Sequence, residues 1–565
     1  MIRLFETHKV REELELGGLW DFTPVKDDEI SPESYMYRMP VPGCWELHPE
    51  LLTYRGKGVY RRTIALMQKT SLRFEFKGVS HTANVYFDHQ KIAHHYNAYT
   101  PFSTVIADVE PGEHELTVLV DNSFSDASAL HIPNDYYTYG GMIRPVVMQK
   151  VNGVFIERIE FTPFRQEDCW AADIKVFIEN ISQQSRKLAL QGRIGDRTFD
   201  MGTCEISATH QSELSKTVAF PEVKSWSGDE PNLYLLDIQL FDENSRFPLD
   251  DYIDRVGFRT ITVQNETILV NGKEIFLKGF NRHEDHPSVG ASFPLQLMVQ
   301  DMDIMQHMGA NTVRTSHYPN DERFLDLCDE RGIYVWEENH ARGLDLKKMQ
   351  NPNFEKQCED CNREMVQSHY NHPSIVIWGI LNECASETEE GRRIYKRQFE
   401  QIRAMDTSRP LTFASNKWVK DLCLDLVDIV SYNTYPGWYW DTPPIDDYHK
   451  LVNYKNAHGG ANKPFIVSEF GGDGIYGYRD EGLSKGSEEK QADIIGAVLD
   501  TFMGKPDVSG VIIWQYCDCR ISQEDGWAIN RACSRNNKGI VDRYRRPKLA
   551  AKVVKQYFER AADQR

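Results

Sequence analysis

Alternating apolar and polar positions dominate the first part of the chain. In Ser71-Leu-Arg-Phe-Glu-Phe, Asn84-Val-Tyr-Phe and Glu115-Leu-Thr-Val-Leu-Val every second side chain faces one way, and Pro111-Gly112 marks a turn among them. This predicts a jelly-roll-like β-sandwich over residues 1–155. A second β segment, 156–260, carries Asp173-Ile-Lys-Val-Phe-Ile and Leu233-Tyr-Leu-Leu-Asp-Ile-Gln-Leu and has the size of an immunoglobulin-like sandwich.

After Val270-Asn-Gly the rhythm changes to strands alternating with helices. Eight strands are predicted around 275–282, 311–316, 333–338, 375–381, 411–415, 428–434, 465–470 and 509–515. Helical segments at 296–308, 321–331, 354–370, 387–404 and 488–503 separate many of them, and 547–561 closes the chain. Eight strands in this length predict a closed (β/α)8 TIM barrel over 261–565 rather than an open sheet, and barrel chemistry sits at the C-terminal ends of the strands.

Charge and composition narrow the function classes. A formal net charge of −19 argues against nucleic acid as a partner, because phosphate binding needs a basic field. The start of the chain lacks the apolar core of a signal peptide, and no apolar run is long enough to span a bilayer, so the expected location is cytoplasmic, with no membrane partner. The 11 cysteines read as reduced thiols. Cys358 and Cys361, followed by His369 and His372, can be drawn as a zinc site, but a lone C-x-x-C on a polar helical segment is a poor metal signal, and no metal is expected. No phosphate-binding or dinucleotide fingerprint is present, and no cofactor is expected.

Two of the predicted strands end in glutamate. Strand four, Ile375-Val-Ile-Trp-Gly-Ile-Leu, finishes in Asn382-Glu383, and strand seven, Phe465-Ile-Val-Ser, finishes in Glu469. Either glutamate alone reads as half of a structural ion pair. Together they sit near-opposite across a barrel mouth and match glycosidic bond cleavage, in which one carboxyl protonates the leaving oxygen and the other stabilises or attacks the anomeric carbon. Tyr435, at the end of strand six, is placed to donate to the nucleophile, and Asn382 to hold a sugar hydroxyl.

Asn281-Arg-His-Glu-Asp, Val313-Arg-Thr-Ser-His-Tyr-Pro, Trp378-Gly-Ile-Leu-Asn-Glu and Ser468-Glu-Phe-Gly resemble, in order and spacing, the signatures of glycoside hydrolase family 2. The resemblance spans nearly the whole chain. It implies a sugar-binding-like first domain, Glu383 as acid/base, Glu469 as nucleophile, a covalent glycosyl-enzyme intermediate, and a homo-oligomer, tetramer or dimer. It also puts His283, His317 and Asn433 in the pocket, although a core histidine is the plainer reading of either His alone.

Within that family the sugar is chosen by residues after strand eight. Residues 531–548 hold seven Lys or Arg and one Asp in an otherwise acidic chain, which reads either as a solvated face or as an anion site. Asn536-Asn537-Lys538-Gly539 resembles the Asn-x-Lys motif that reads a uronate carboxylate in β-glucuronidases; Asn536 and Lys538 are the implied readers. Tyr439 resembles the tyrosine that assists them, Asp135 the aspartate that reaches the sugar hydroxyls from the first sandwich, and Trp514 a pocket wall, with a core tryptophan as the alternative. The family arginine before Asn-x-Lys falls on Ala532, so arginine is left out of this site. The stretch 339–353 is short, implying an open mouth that suits bulky conjugates or oligosaccharide ends. The expectation is hydrolysis of terminal β-D-glucuronic acid from glucuronides. The alternatives are a β-galacturonidase or β-galactosidase with the same carboxylates, or an inactive carbohydrate-binding protein.

Overall fold

The computed structural model describes residues 2–243, 245–524 and 530–562. The first unit lays two antiparallel sheets face to face. One orders Glu12–Glu15, Val146–Val151, Thr70–Phe76 and Phe102–Val109. The other orders Tyr37–Val41, Gly18–Val25, Lys57–Leu66, Gly112–Asp121, Thr82–Phe87 and Gln90–Tyr96. Alternation decides the core: Leu72, Phe74 and Phe76 point inward from one sheet and meet Leu116, Val118 and Val120 from the other. The second unit packs a three-stranded sheet (Val154–Gln166, Cys169–Asn180, Gln211–Phe220) on a four-stranded one (Arg197–Ile206, Arg186–Ile194, Tyr234–Asp242, Asp250–Val256).

The third unit is the barrel. Its strands are Leu277–Asn281, Thr312–Arg314, Tyr334–Glu338, Ile375–Gly379, a fifth in two pieces, Val430–Asn433, Phe465–Glu469 and Val508–Ile513. Strand five breaks at Phe413 into Leu411–Thr412, which pairs with strand four, and Ala414–Ser415, which pairs with strand six. The sheet therefore begins and ends on halves of one strand, which closes it into a ring of parallel strands.

Helices Leu295–His307, Glu322–Arg331, Phe354–His369, Glu389–Met405, Pro444–Ala457, Glu488–Phe502 and Leu549–Ala562 flank the strands. Their ends follow local rules: Asp321, Thr388 and Ser487 cap N-termini by accepting backbone N–H bonds, and Gly332 ends its helix at φ +67°, a left-handed position that favours glycine. No described helix is long and apolar enough to cross a membrane. A small sheet, Ile261–Gln264, Thr267–Val270 and Lys273–Ile275, packs with Trp226 against Leu277, Trp336, Ile429 and Ile512 and so plugs the N-terminal end of the barrel. The opposite, C-terminal end is left for chemistry.

The first sandwich reaches that end through the segment between Asp121 and Gly141. Just beyond it, Arg144 ties the sandwich to the barrel by donating to Glu284 at 2.9 Å and to the backbone oxygens of Tyr99 and Pro319 at 2.6 and 2.7 Å. Tyr136 stacks on His283 with ring centroids 4.6 Å apart.

Candidate active site

A cavity of about 730 Å³ opens at the C-terminal mouth of the barrel. Glu383, Asn433, Tyr435, Tyr439, Glu469, Trp514 and Asp135, all singled out from the sequence, lie on its wall.

Glu469 ends strand seven and is 4% exposed. Its Oε1 accepts from Arg314 Nη1 at 2.8 Å and its Oε2 accepts from the Tyr435 hydroxyl at 2.7 Å. Burial, reinforced by the charge of Glu383, pushes its carboxyl up to about 8, against the pull of Arg314 and Tyr435. Glu383 is less buried and stands in the left-handed region at φ +54°. Its backbone N–H donates to Ala414 O at 2.9 Å, and its Oε1 accepts from Asn433 Nδ2 at 2.8 Å. The two carboxylates interact electrostatically, the charge of Glu383 being one cause of the raise at Glu469. Two donors, one of them a cation, serve the anionic form of Glu469, whereas Glu383 receives a single amide. This asymmetry of donors gives the two carboxyls different environments, which acetal cleavage by a carboxyl pair requires.

Arg314 ties the mouth together. Besides Glu469 it donates to both oxygens of Glu338 at 2.8 and 2.9 Å, to Asn281 Oδ1 at 2.9 Å and to Asn382 Oδ1 at 2.8 Å. Tyr435 remains a neutral donor, since burial and Glu469 push its phenol far above the usual range. His317 Nδ1 donates to Glu338 Oε1 (2.7 Å), and the ring stacks on Trp514 at 4.9 Å and brings Nε2 to 3.9 Å from Glu469. Burial lowers the proton affinity of both histidines, that of His283 to about 3, so both are neutral at physiological pH. Asn382 Nδ2, His283 Nε2 and His317 Nε2 are buried without a hydrogen-bond partner among the described residues. Orphaned polar atoms of this kind are costly in a fold and suit the hydroxyls of a bound sugar. Trp514 is 2% exposed and yet lines the cavity, so the core and wall readings both hold.

On the far side, residues from three parts of the chain converge. Asp135 forms ion pairs with Arg342 at 2.8 Å and Arg531 at 3.3 Å, and accepts from Asn536 Nδ2 at 3.0 Å. Burial opposes its charge, but the two guanidinium groups outweigh that and hold its carboxyl below the usual range. Lys538 is 1% exposed, bonds Asp473 at 2.8 Å, and has Trp438 and Tyr439 rings 5.2 and 5.3 Å from its Nζ. Tyr439 sits at the rim, half exposed, where its hydroxyl accepts from Arg531 at 3.3 Å.

Arg342 and Arg531 were not among the residues singled out from the sequence, and Arg531 overturns the expectation that arginine stays out of this corner: it reaches the cavity one position away from the family's spacing. Arg342 comes from the stretch 339–353, which reads from sequence only as a short loop; its path delivers a guanidinium to the wall. No sequence-level signal marks either: both are half-buried arginines on connections whose paths the local pattern does not reveal.

The zinc alternative does not assemble. His369 bonds Glu337 at 2.9 Å and His372 bonds Asp329 at 2.6 Å, while Cys358 and Cys361 are buried free thiols. Asp326, Asp329 and His372 do converge, but Arg3 already fills the space beside Asp326 with bonds of 2.8 and 3.0 Å.

Three family models match in succession: the glycosyl hydrolases family 2 sugar binding domain over residues 15–152, glycosyl hydrolases family 2 over 154–259 and the glycosyl hydrolases family 2 TIM barrel domain over 261–562. A GH2 β-galacturonidase from Eisenbergiella tayi, solved bound to galacturonate, is 45% identical, with 99% of each chain covered and a TM-score of 0.95. The β-glucuronidase of Bifidobacterium dentium, complexed with coumarin-3-O-glucuronide, is 25% identical over 97% of each chain with a TM-score of 0.86. The Sus scrofa β-glucuronidase is 28% identical, covering 98% of this chain and 91% of its own. This chain is a glycoside hydrolase and belongs to glycoside hydrolase family 2.

Proposed function

We propose that this enzyme removes a terminal β-linked hexuronic acid with retention of configuration, and that a galacturonide is its first substrate. The observation that carries the uronide reading is the convergence of Arg342 and Arg531 on the cavity wall with the buried Lys538, which pairs with Asp473 beside Arg531. Three cations gathered in one corner suit a substrate carboxylate. A neutral sugar leaves that charge unused.

The choice between epimers at C4 leans on similarity. The β-galacturonidase relative shares 45% of residues, against 25 to 28% for the β-glucuronidases of Bifidobacterium dentium and Sus scrofa. The glucuronide expected from the Asn-x-Lys motif stays as the second reading, supported by those relatives.

In the proposed first step Glu383 gives its proton to the glycosidic oxygen as an Oε of Glu469 attacks C1. The C1–O bond breaks, and the leaving alcohol departs protonated. In the second step the Glu383 carboxylate takes a proton from water, the water oxygen bonds C1, and Glu469 is released as carboxylate. Arg314 and Tyr435 hold Glu469 aimed and favour its charged form, Asn433 orients Glu383, and Asn382, His283 and His317 meet ring hydroxyls. Asp135, Asn536 and Lys538 hold the far end, with Tyr439 at the rim and Trp514 behind the ring. The 11 free cysteines support a reducing, cytoplasmic setting. A dimer or tetramer is the expected assembly, checked by sedimentation.

The test is parallel turnover of p-nitrophenyl β-D-galacturonide, β-D-glucuronide and β-D-galactoside by wild type and Lys538→Ala. A loss of about 100-fold or more confined to the uronides is expected, as for truncating one partner of a buried charge contact. Preference for the galactoside with no effect of Lys538→Ala overturns the uronide reading.

A further inference from the structure

The carboxylate pair and the cationic wall occupy only part of the cavity. The rest is lined by Asn416, Trp418, Trp440, Thr442, Asp446 and Lys450, none of which the proposed reaction uses. We infer that this half is a built subsite for a second pyranose ring, so that the natural leaving group is a sugar.

Its position follows from the acid. Glu383 must stand beside the glycosidic oxygen, so the leaving group lies on the Glu383 side of the bond. Glu383 bonds the backbone of strand five through Ala414 O at 2.9 Å, and Asn416 and Trp418 directly follow that strand. Asn433 serves both sides: its Nδ2 holds Glu383 at 2.8 Å, and its backbone oxygen accepts from Trp418 Nε1 at 3.3 Å. The wall where a leaving group sits is thus fixed to the same residue that orients the acid.

The two tryptophans are rigidly held. Trp440 Nε1 donates to Asp447 Oδ2 at 3.0 Å, and the buried Asp447 also accepts from Thr434 at 2.7 Å and Thr442 at 3.2 Å. The rings meet edge to face, with centroids 4.9 Å apart and planes at 81°. Each polar edge is satisfied inside the protein, which leaves carbon faces to line the cavity, and a fixed indole loses little entropy when a ligand packs on it.

What surrounds the corner favours a sugar over a plain aryl group. Asn416 adds an amide, Thr442 a hydroxyl, Asp446 a carboxylate and Lys450 an ammonium, the last 4.8 Å from the Trp418 ring. An aromatic leaving group needs the faces alone. A pyranose offers an apolar C–H face to the indoles and hydroxyls at its perimeter to the amide and the charges.

The inference rests on the uronide reading for its choice of substrates, and the experiment separates the two. Wild type, Trp418→Ala, Trp440→Ala and an Asn416→Ala/Lys450→Ala double variant are assayed on three uronides of the preferred configuration: the methyl glycoside, the p-nitrophenyl glycoside and a disaccharide with a neutral hexose as leaving group. Each tryptophan variant is expected to lose about tenfold or more in kcat/KM on the disaccharide, with less than about threefold on the methyl glycoside, since only the former reaches the corner. The double variant is expected to lose on the disaccharide and hold on the aryl glycoside. Equal losses on methyl glycoside and disaccharide, or a loss on the aryl glycoside alone, overturn the subsite. Trp418→Phe, which keeps a ring face, is expected to recover part of the disaccharide activity, so a folding defect in Trp418→Ala is told apart by melting temperature and by this rescue. Wild type inactive on all three uronides is a failure of the substrate reading instead; the same variants are then run on methyl and disaccharide galactosides, where equal losses again overturn the subsite.

Discussion

Arg314 Nη1 meets Glu469 Oε1 at 2.8 Å, and the same guanidinium bonds both oxygens of Glu338. One cation thus stands between two buried acids. The burial that pushes Glu469 up is countered on one oxygen only by a group that cannot give up its own charge. Tyr435 covers the other oxygen. The Glu383 carboxyl, by contrast, accepts from Asn433 Nδ2 at 2.8 Å and from no cation among the described residues.

Chemical rescue separates the two roles. Glu469→Gln is expected to abolish turnover, by about 1,000-fold or more, because no anion then forms the covalent bond. Glu383→Ala is expected to lose leaving-group assistance, so activated aryl glycosides suffer less than alkyl ones. Added azide then restores turnover by attacking the accumulated glycosyl-enzyme, and the azide product keeps the β configuration. An α-azide from Glu383→Ala reverses the assignment, which product NMR reads directly.

The pH profile follows from the same pair. Glu469 attacks as carboxylate, and burial pushes its carboxyl up to about 8. A fall of kcat/KM is therefore expected on the acid side as pH drops through that value, since the nucleophile is then protonated. Glu383→Gln, assayed on an activated aryl glycoside, is expected to move this limb to lower pH, because the charge of Glu383 is one cause of the raise. A limb that Glu383→Gln leaves in place refutes the electrostatic coupling of the two carboxylates.

The strands and both glutamates were legible in the sequence because barrel strands are continuous apolar runs and a carboxylate at the end of one is conspicuous. Strand five was legible only as a single segment; its break at Phe413 depends on which neighbour each half pairs with, a property of the closed sheet. Helix Pro444–Ala457, which carries Asp446, Asp447 and Lys450 to the cavity, has weak periodicity and was not singled out. Arg342, Arg531 and Trp418 reach the mouth from connections whose paths are set by tertiary packing, so local pattern carries no trace of their convergence. Asp135 was visible only through family resemblance, since nothing in a sandwich loop foretells a partner in the barrel.

Breaking the Arg342 and Asp135 pair is expected to damage binding more than bond cleavage. Arg342 is half-buried, and its charge is stabilised chiefly by Asp135, against the cost of desolvation, with Glu383 and Glu469 adding to it. Arg342→Ala leaves Asp135 with Arg531 and Asn536 and frees it to swing toward them. A rise in KM of about tenfold or more is expected with a smaller change in kcat, because Asp135 bonds Arg342, Arg531 and Asn536 rather than either glutamate of the pair. Arg342→Lys keeps the charge but not the planar donor and is expected to recover less than half of the loss. A pure kcat effect with KM unchanged places Arg342 in the bond-breaking step and refutes the binding role.

Stability is expected to fall as pH rises across the neutral range, and Glu46 is the residue that tests the cause. It is 1% exposed in the first sandwich, accepts from Gly140 N–H at 2.8 Å and Asn122 Nδ2 at 3.3 Å, and burial pushes its carboxyl up to about 8. Because this pKa is raised above the unfolded value of 4.5, the fold holds a proton that the unfolded chain has lost. The contribution is full below 4.5 and is lost as pH rises through about 8. Asp518, pushed up to about 7, acts in the same direction. In Glu46→Gln the amide oxygen accepts the same two bonds and carries no charge at any pH. Its melting temperature is expected to match wild type near pH 5 and to exceed it by about 2–4 °C near pH 8. A variant that melts below wild type at both pH values shows instead that the charged form of Glu46 stabilises the sandwich.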